Sequence, residues 1–134
     1  KMKLFLETTS SCVSPFIQKA GIEAISGDQS HTISMHKEYN ERRELIVDGL
    51  NSINGISCIK PRGAFYVFPN VKKTGMTSNE FANYILDDAS VAVLPGTNFG
   101  EYGEGYVRLC YATTKEKINE AIKRIDLSMR KLNL

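Results

Sequence analysis

Eight residues near the end of the chain, Gly105-Tyr106-Val107-Arg108-Leu109-Cys110-Tyr111-Ala112, constrain the fold most tightly. Side chains alternate between the two faces of a strand, so Val107, Leu109 and Tyr111 share an apolar face that asks for burial, while Tyr106, Arg108, Cys110 and Ala112 share the other. The strand needs a core on one side and leaves Arg108 projecting from a fixed platform on the other. A guanidinium is always charged and offers a planar fork of donors that fits a carboxylate or phosphate bidentately. Arg108 is therefore a candidate anion clamp, the alternative being an arginine on the solvated face of a half-exposed strand.

The rest of the chain supplies what covers that apolar face. Lys1 to Ser14 is a short mixed segment without a starting strand or cap of its own, and the expectation is that the chain begins inside a longer protein. Ser14-Pro15 reads as a helix start, with serine at the N-cap and proline at the first helical position, where its missing N–H costs nothing. Phe16, Ile17, Ala20, Ala24 and Ile25 follow at helical spacing, and Gly27 supplies a stop. Asp28 can cap a second helix whose apolar positions, Ile33, Tyr39, Ile46, Leu50 and Ile53, form one stripe. Lys37, Glu38, Glu41, Arg42, Glu44 and Asp48 lie on its other face and read as a solvated surface with local ion pairs. Asn54-Gly55 closes the helix, because both residues tolerate the left-handed conformation.

Strands are expected near 56–60, 64–68, 91–94 and 106–112. The first is limited by Pro61, and the second, after Gly63, is rich in aromatic and β-branched residues. In it Phe65 and Val67 share one face and Tyr66 and Phe68 the other, so both faces are expected to be at least partly covered. Thr77-Ser78-Asn79-Glu80 fits a capping box ahead of a helix carrying Phe81, Ala82, Ile85 and Leu86. Thr113-Thr114-Lys115-Glu116 reads as a second capping box, leading into the regular stripe Ile118, Ala121, Ile122, Ile125, Met129 and Leu132. The loop from Gly96 to Gly105 holds four glycines, read first as turn residues. The fold class that follows is α/β of the α+β type: a small mixed sheet of three to four strands packed with about four helices.

At 134 residues and 42% hydrophobic content the chain is long enough for one compact domain with a core and too short for two. Seventeen basic residues against fifteen acidic give a net charge of +2. No basic stripe of the kind that binds nucleic acid accompanies it, since Lys72-Lys73 and Arg42-Arg43 are isolated pairs. No apolar run approaches the roughly twenty residues that span a bilayer, and the start lacks a signal-peptide pattern, so a cytoplasmic protein is expected. Cys12, Cys58 and Cys110 are far apart and odd in number, which argues for free, buried thiols rather than a disulfide framework. His31 and His36 lack further ligands at metal-binding spacing and are expected on the surface, with no metal site.

Three separated segments carry a resemblance that covers nearly the whole chain. Pro61-Arg62-Gly63-Ala64-Phe65-Tyr66, Val91-Ala92-Val93-Leu94-Pro95-Gly96-Thr97-Asn98-Phe99-Gly100 and Val107-Arg108-Leu109-Cys110-Tyr111-Ala112 stand in the order and approximate spacing of P-x-G-A-F-Y, V-x-V-x-P-G-x-x-F-G and V-R-L-x-Y-A. The chain thus resembles the C-terminal small domain of class I/II aminotransferases that depend on pyridoxal 5'-phosphate (PLP), the aspartate aminotransferase-like fold. The resemblance implies that residues 1–134 are that small domain and that the N-terminal PLP-binding large domain precedes it. It implies that Arg108 binds the substrate α-carboxylate and that Phe65, Tyr66, Asn98 and Phe99 are candidates to line the cleft. It implies, too, a homodimer in the intact enzyme, with an amino acid and a 2-oxo acid as substrates.

A PLP enzyme needs a lysine that takes the cofactor's aldehyde as a Schiff base, a carboxylate at the pyridine nitrogen and donors for the phosphate. In the family these belong to the large domain, so no catalytic residue is expected in this chain, which would be inactive and free of PLP by itself. Lys72-Lys73-Thr74-Gly75-Met76-Thr77 echoes the family's S-K-x-x-x-M-T-G-x-R-x-G motif but lacks G-x-R-x-G and lies downstream of P-R-G-A-F-Y. Lys72 and Lys73 are accordingly read as solvated. Two alternatives stay open. The same fold supports lyase and synthase chemistry, as in a C–S lyase or an aminocyclopropane-carboxylate-type synthase. A free-standing regulatory module that binds a small carboxylate is the other.

Overall fold

The computed structural model describes residues 1–10 and 12–132. Along the chain run helices α1 (Met2–Thr9), α2 (Pro15–Ser26) and α3 (Ser30–Asn51), strand β1 (Tyr66–Val67), helix α4 (Ser78–Ala89), strands β2 (Leu94–Pro95) and β3 (Val107–Cys110), and helix α5 (Lys115–Arg130). Short 3-10 turns occupy Lys72–Thr74, Gly96–Phe99 and Glu101–Gly103. The chain divides into two compact units, Lys1–Met35 and His36–Leu134.

In the first unit Lys1 to Ser14, read as a mixed segment without a starting strand or cap of its own, holds α1, which begins without a side-chain capping bond. Met2–Thr9 is helical, and Ser11 lies outside the described residues. Proline does stand at the start of α2 with Ser14 at its N-cap, although the serine side chain makes no capping bond. Asp28 accepts from the Ser30 hydroxyl and, at 2.9 Å, from the Ser30 amide, and so holds the start of α3; the two bonds, the hydroxyl's first, pull its carboxyl below the usual aspartate range. Neither α1 nor α2 has a buried residue. Ile33 is exposed as well, so the expected stripe of α3 is apolar in sequence from its first turn but buried only from Ile46 onward.

The second unit contains the core. Ile46, Val47 and Leu50 from α3, Phe81, Ala82, Ile85 and Ala89 from α4, and Ile118, Ile125 and Met129 from α5 close on Val67, Val107, Leu109 and Tyr111 of the sheet. The alternation expected around Arg108 is present: Val107, Leu109 and Tyr111 are buried, whereas Cys110 and Ala112 are exposed. β3 is central in the order β1-β3-β2, with Tyr66 opposite Cys110 and Leu94 opposite Arg108. Both pairings are antiparallel, where mixed pairing was expected.

The strands are shorter than the sequence implied. Residues 56–60 form no strand. Ser57 makes one isolated bridge to Asn70, and both backbone groups of Cys58 go to the side-chain amide of Asn51, at 2.7 and 2.9 Å. With its donor and acceptor satisfied there, Cys58 has nothing left for a ladder. β1 covers only two of the residues 64–68; Val67 is buried, Tyr66 half-buried, and Phe65 and Phe68 are 42% and 38% exposed, so both faces are partly covered, as expected. β2 begins at Leu94 rather than Val91. The Val91 amide instead donates back to the Ile85 carbonyl, finishing α4 through Ser90 in the left-handed conformation.

The capping box at Thr77 and Glu80 is complete, and it lowers the glutamate's pKa through hydrogen bonds from Thr77. The second cap is displaced by one residue. Thr114, not Thr113, receives the Lys117 amide, so Glu116 falls one position short of the reciprocal bond. Of the cysteines expected to be buried, only Cys58 is, and burial raises its thiol pKa; Cys12 and Cys110 are exposed. Among the described residues no helix is long and apolar enough to cross a membrane.

Candidate functional site

The Arg108 site begins with register. Because Leu94 and Tyr66 lie opposite Arg108 and Cys110, all four side chains share the sheet face turned away from the core. Arg108 is half-buried at the centre of that face. Its guanidinium carbon lies 4.3 Å from the ring centre of Tyr66 and 4.0 Å from that of Phe99. The rings reach it from the two sides of the central strand, Tyr66 from β1 and Phe99 from the turn that follows β2. Both distances are well inside the range of cation–π attraction. The guanidinium carbon thus lies over both rings, and the N–H donors of a guanidinium lie in its plane, along the edge. Among the described residues no carboxylate comes within ion-pairing distance of Arg108, in contrast to Arg42, Arg124 and Arg130, each paired with an acid one helical turn away.

The jaws have their own support. Phe99 meets Phe68 edge-on at 6.1 Å, and Phe68 stacks on Tyr106 at 5.4 Å, with 12° between the ring planes. On the other side Tyr66 packs on Phe65 at 4.6 Å, and Phe65 lies 6.4 Å from Tyr39. The turn before Phe65 is held by Tyr111, whose hydroxyl donates to the Ala64 carbonyl at 2.7 Å. Burial pushes that phenol's pKa up, which keeps it a donor.

The glycine loop brings Phe99 into place by close approach. A Cβ on Gly96 would overlap the Gly103 carbonyl, and one on Gly103 would overlap the backbone of Gly96, so only glycine allows the two strands of this loop to touch. Ser78, fully buried at the start of α4, fastens the loop's far end. Its hydroxyl accepts from the amides of Gly105 at 2.8 Å and Tyr106 at 3.3 Å and donates to the Gly103 carbonyl at 3.3 Å.

Of the residues singled out in the sequence, Arg108, Tyr66 and Phe99 come together. Phe65 stands behind Tyr66, in the same aromatic row. Asn98 is exposed on the turn beside Phe99 and has no side-chain hydrogen bond among the described residues. Lys72 and Lys73 are exposed as expected, but Lys72 also places its ammonium 5.1 Å from the Tyr106 ring centre. His31 and His36 are exposed. Sequence reasoning missed Ser78, Phe68 and Tyr106 as supports. Tyr106 carried a signal, since it alternates onto the face of Arg108; Ser78 carried none beyond its place in a capping box.

The site does not fit PLP. Among the described residues the lysine in contact with this aromatic row is Lys72, whose ammonium rests on Tyr106, while Lys60, Lys115 and Lys131 are each paired with acids. What the face can do chemically is receive a planar anion along the edge of Arg108.

Comparison with known proteins gives this face its context. The family model described as aminotransferase class I and II matches residues 3–125. An aspartate aminotransferase from Pyrococcus horikoshii is 50% identical over 119 residues, covering 87% of this chain and 30% of the relative. An aspartate aminotransferase from Pyrococcus abyssi is 44% identical, covering 100% of this chain and 35% of the relative. The crystal structure of an aromatic aminotransferase from Pyrococcus horikoshii superposes with a TM-score of 0.85 at 44% identity, over 96% of this chain and 35% of that one. The chain thus spans about a third of the length of these relatives. With its three motifs in order, its small sheet and helices superposing on theirs and its family match running almost from end to end, the chain belongs to the class I and II aminotransferases.

Proposed function

We propose that this chain is the C-terminal small domain of an aminotransferase that moves an amino group between an amino acid and a 2-oxo acid, and that Arg108 holds the α-carboxylate common to both. The observation that carries this reading is the guanidinium held between Tyr66 and Phe99 with no carboxylate partner among the described residues. A charge-assisted bidentate pair is the strongest use of such a fork, and a fixed carboxylate orients the neighbouring Cα–H bond by positioning alone. Phe65, packed on Tyr66, and Asn98, next to Phe99 in the chain, are included in this reading as residues bordering the same substrate. The family implies PLP in the intact enzyme, and the residues described here leave its binding to the remainder of the protein. A homodimer in the cytoplasm completes the reading. The aminotransferase relatives support transfer over lyase or synthase chemistry, since the proteins matched are aspartate and aromatic aminotransferases.

The test is kinetic, on the intact enzyme. Removing one side of a sheltered charge pair costs about 3–5 kcal/mol, so Arg108→Ala should lower kcat/KM by roughly two to four orders of magnitude. Acidic, aromatic and aliphatic amino acids should suffer alike, because all carry the α-carboxylate. Arg108→Lys keeps the charge without the fork and should fall between. Near wild-type efficiency in Arg108→Ala would return the residue to the solvated face of its strand.

A further inference from the structure

The two rings at Arg108 are held differently, and that difference has a functional consequence. Tyr66 belongs to β1 and is fixed by its register opposite Cys110. Phe99 closes a 3-10 turn between Gly96 and Gly100, is 46% exposed, and touches the rest of the aromatic row through the edge of Phe68. A half-buried arginine with a free fork has many rotamers open to it, and each must be given up when a carboxylate binds. A ring 4.0 Å from the guanidinium carbon restricts the plane of the fork before any ligand arrives. An exposed aromatic of this size would otherwise be drawn toward other apolar surface, and here it spends its face on a cation.

We propose that Phe99 is a positioning residue for substrate: with Tyr66 it holds the Arg108 fork edge-outward, so that carboxylate affinity depends on Phe99 although its ring offers the carboxylate no hydrogen bond. The proposal rests on the reading of Arg108 as the carboxylate clamp. Its signature is aromatic rather than steric. Phe99→Leu keeps apolar bulk and loses the quadrupole, whereas Phe99→Tyr and Phe99→Trp keep a π face. Because the effect acts through Arg108, it disappears when Arg108 is gone.

The experiment measures kcat and KM separately in the intact, PLP-loaded enzyme for wild type, Phe99→Leu, Phe99→Tyr, Phe99→Trp, Arg108→Ala and the double variant, with three amino acids of different side chain. Phe99→Leu should raise KM by roughly three- to thirty-fold for all three amino acids, the range that a partly desolvated cation–π contact supports. The change in kcat should be much smaller. At least one of Phe99→Tyr and Phe99→Trp should restore KM, and Phe99→Leu should add less than two-fold in the Arg108→Ala background. The cofactor's visible absorption should be unchanged throughout. An unchanged KM in Phe99→Leu overturns the proposal, as does a change confined to one class of amino acid, which would make Phe99 a side-chain reader, and so does an equal loss with or without Arg108. If Arg108→Ala itself is near wild type, it is the clamp that fails rather than the role of Phe99 within it.

Discussion

Ser78 and Tyr111 each tie a loop of the site to the frame with a single hydroxyl. The Ser78 hydroxyl takes two amides and donates to one carbonyl from a position that is 0% exposed. Buried polar groups deprived of a partner cost about 1–3 kcal/mol, whereas an ordinary exposed serine costs almost nothing to remove. Ser78→Ala should therefore destabilise the protein by about that amount in chemical denaturation. A variant within about 0.5 kcal/mol of wild type would show that the loop's amides find other partners. At this scale the sequence was legible for Arg108, whose charge interrupts an apolar alternation, and illegible for Ser78, because a serine after a threonine cap looks the same whether it faces water or a neighbouring loop.

Elements were legible where one periodicity dominated. β3 and the residue after it keep the alternation, burying Val107, Leu109 and Tyr111, and α5 buries Ile118, Ile125 and Met129 of its expected stripe, since each packs one face against the same core. Residues 56–60 had strand composition, yet Asn51 from the end of α3 occupies both backbone groups of Cys58, a competition that no local pattern reveals. β2 starts late for a similar reason, its expected first residue being used to close α4. α4 and α5 are joined by a polar tie: Asp88 accepts from Ser128 at 2.6 Å and from Lys131 at 2.7 Å, and Ser128 also receives Tyr84 on its carbonyl at 2.8 Å. The bonds from Lys131 and Ser128 hold the Asp88 carboxyl below its ordinary value of 3.8. A lowered folded-state pKa stabilises above the unfolded value and is lost as pH falls through the folded one. The tie should therefore be intact at neutral pH and fail on the acid side of 3.8. Asp88→Asn should lower stability at pH 7 and flatten its decline in acid. An acid profile parallel to that of wild type would exclude Asp88 as a contributor.

For the whole molecule, the division of labour follows from what each surface lacks. The core lies in the second unit, and the sheet face opposite it carries a cation between two rings and, among the described residues, no acid paired with it. α1 and α2 have no buried residue, and the relatives are about three times as long; the proposed reading gives the carboxylate clamp to this part of the intact enzyme. That claim is tested most directly by comparing an amino acid with the amine that differs from it only by loss of the α-carboxylate, as substrates of the intact enzyme and of Arg108→Ala. The account predicts that wild type favours the amino acid by roughly two to four orders of magnitude in kcat/KM, and that Arg108→Ala removes most of this preference by slowing the amino acid while leaving the amine nearly untouched. An Arg108→Ala enzyme that keeps the full preference for the amino acid would contradict it.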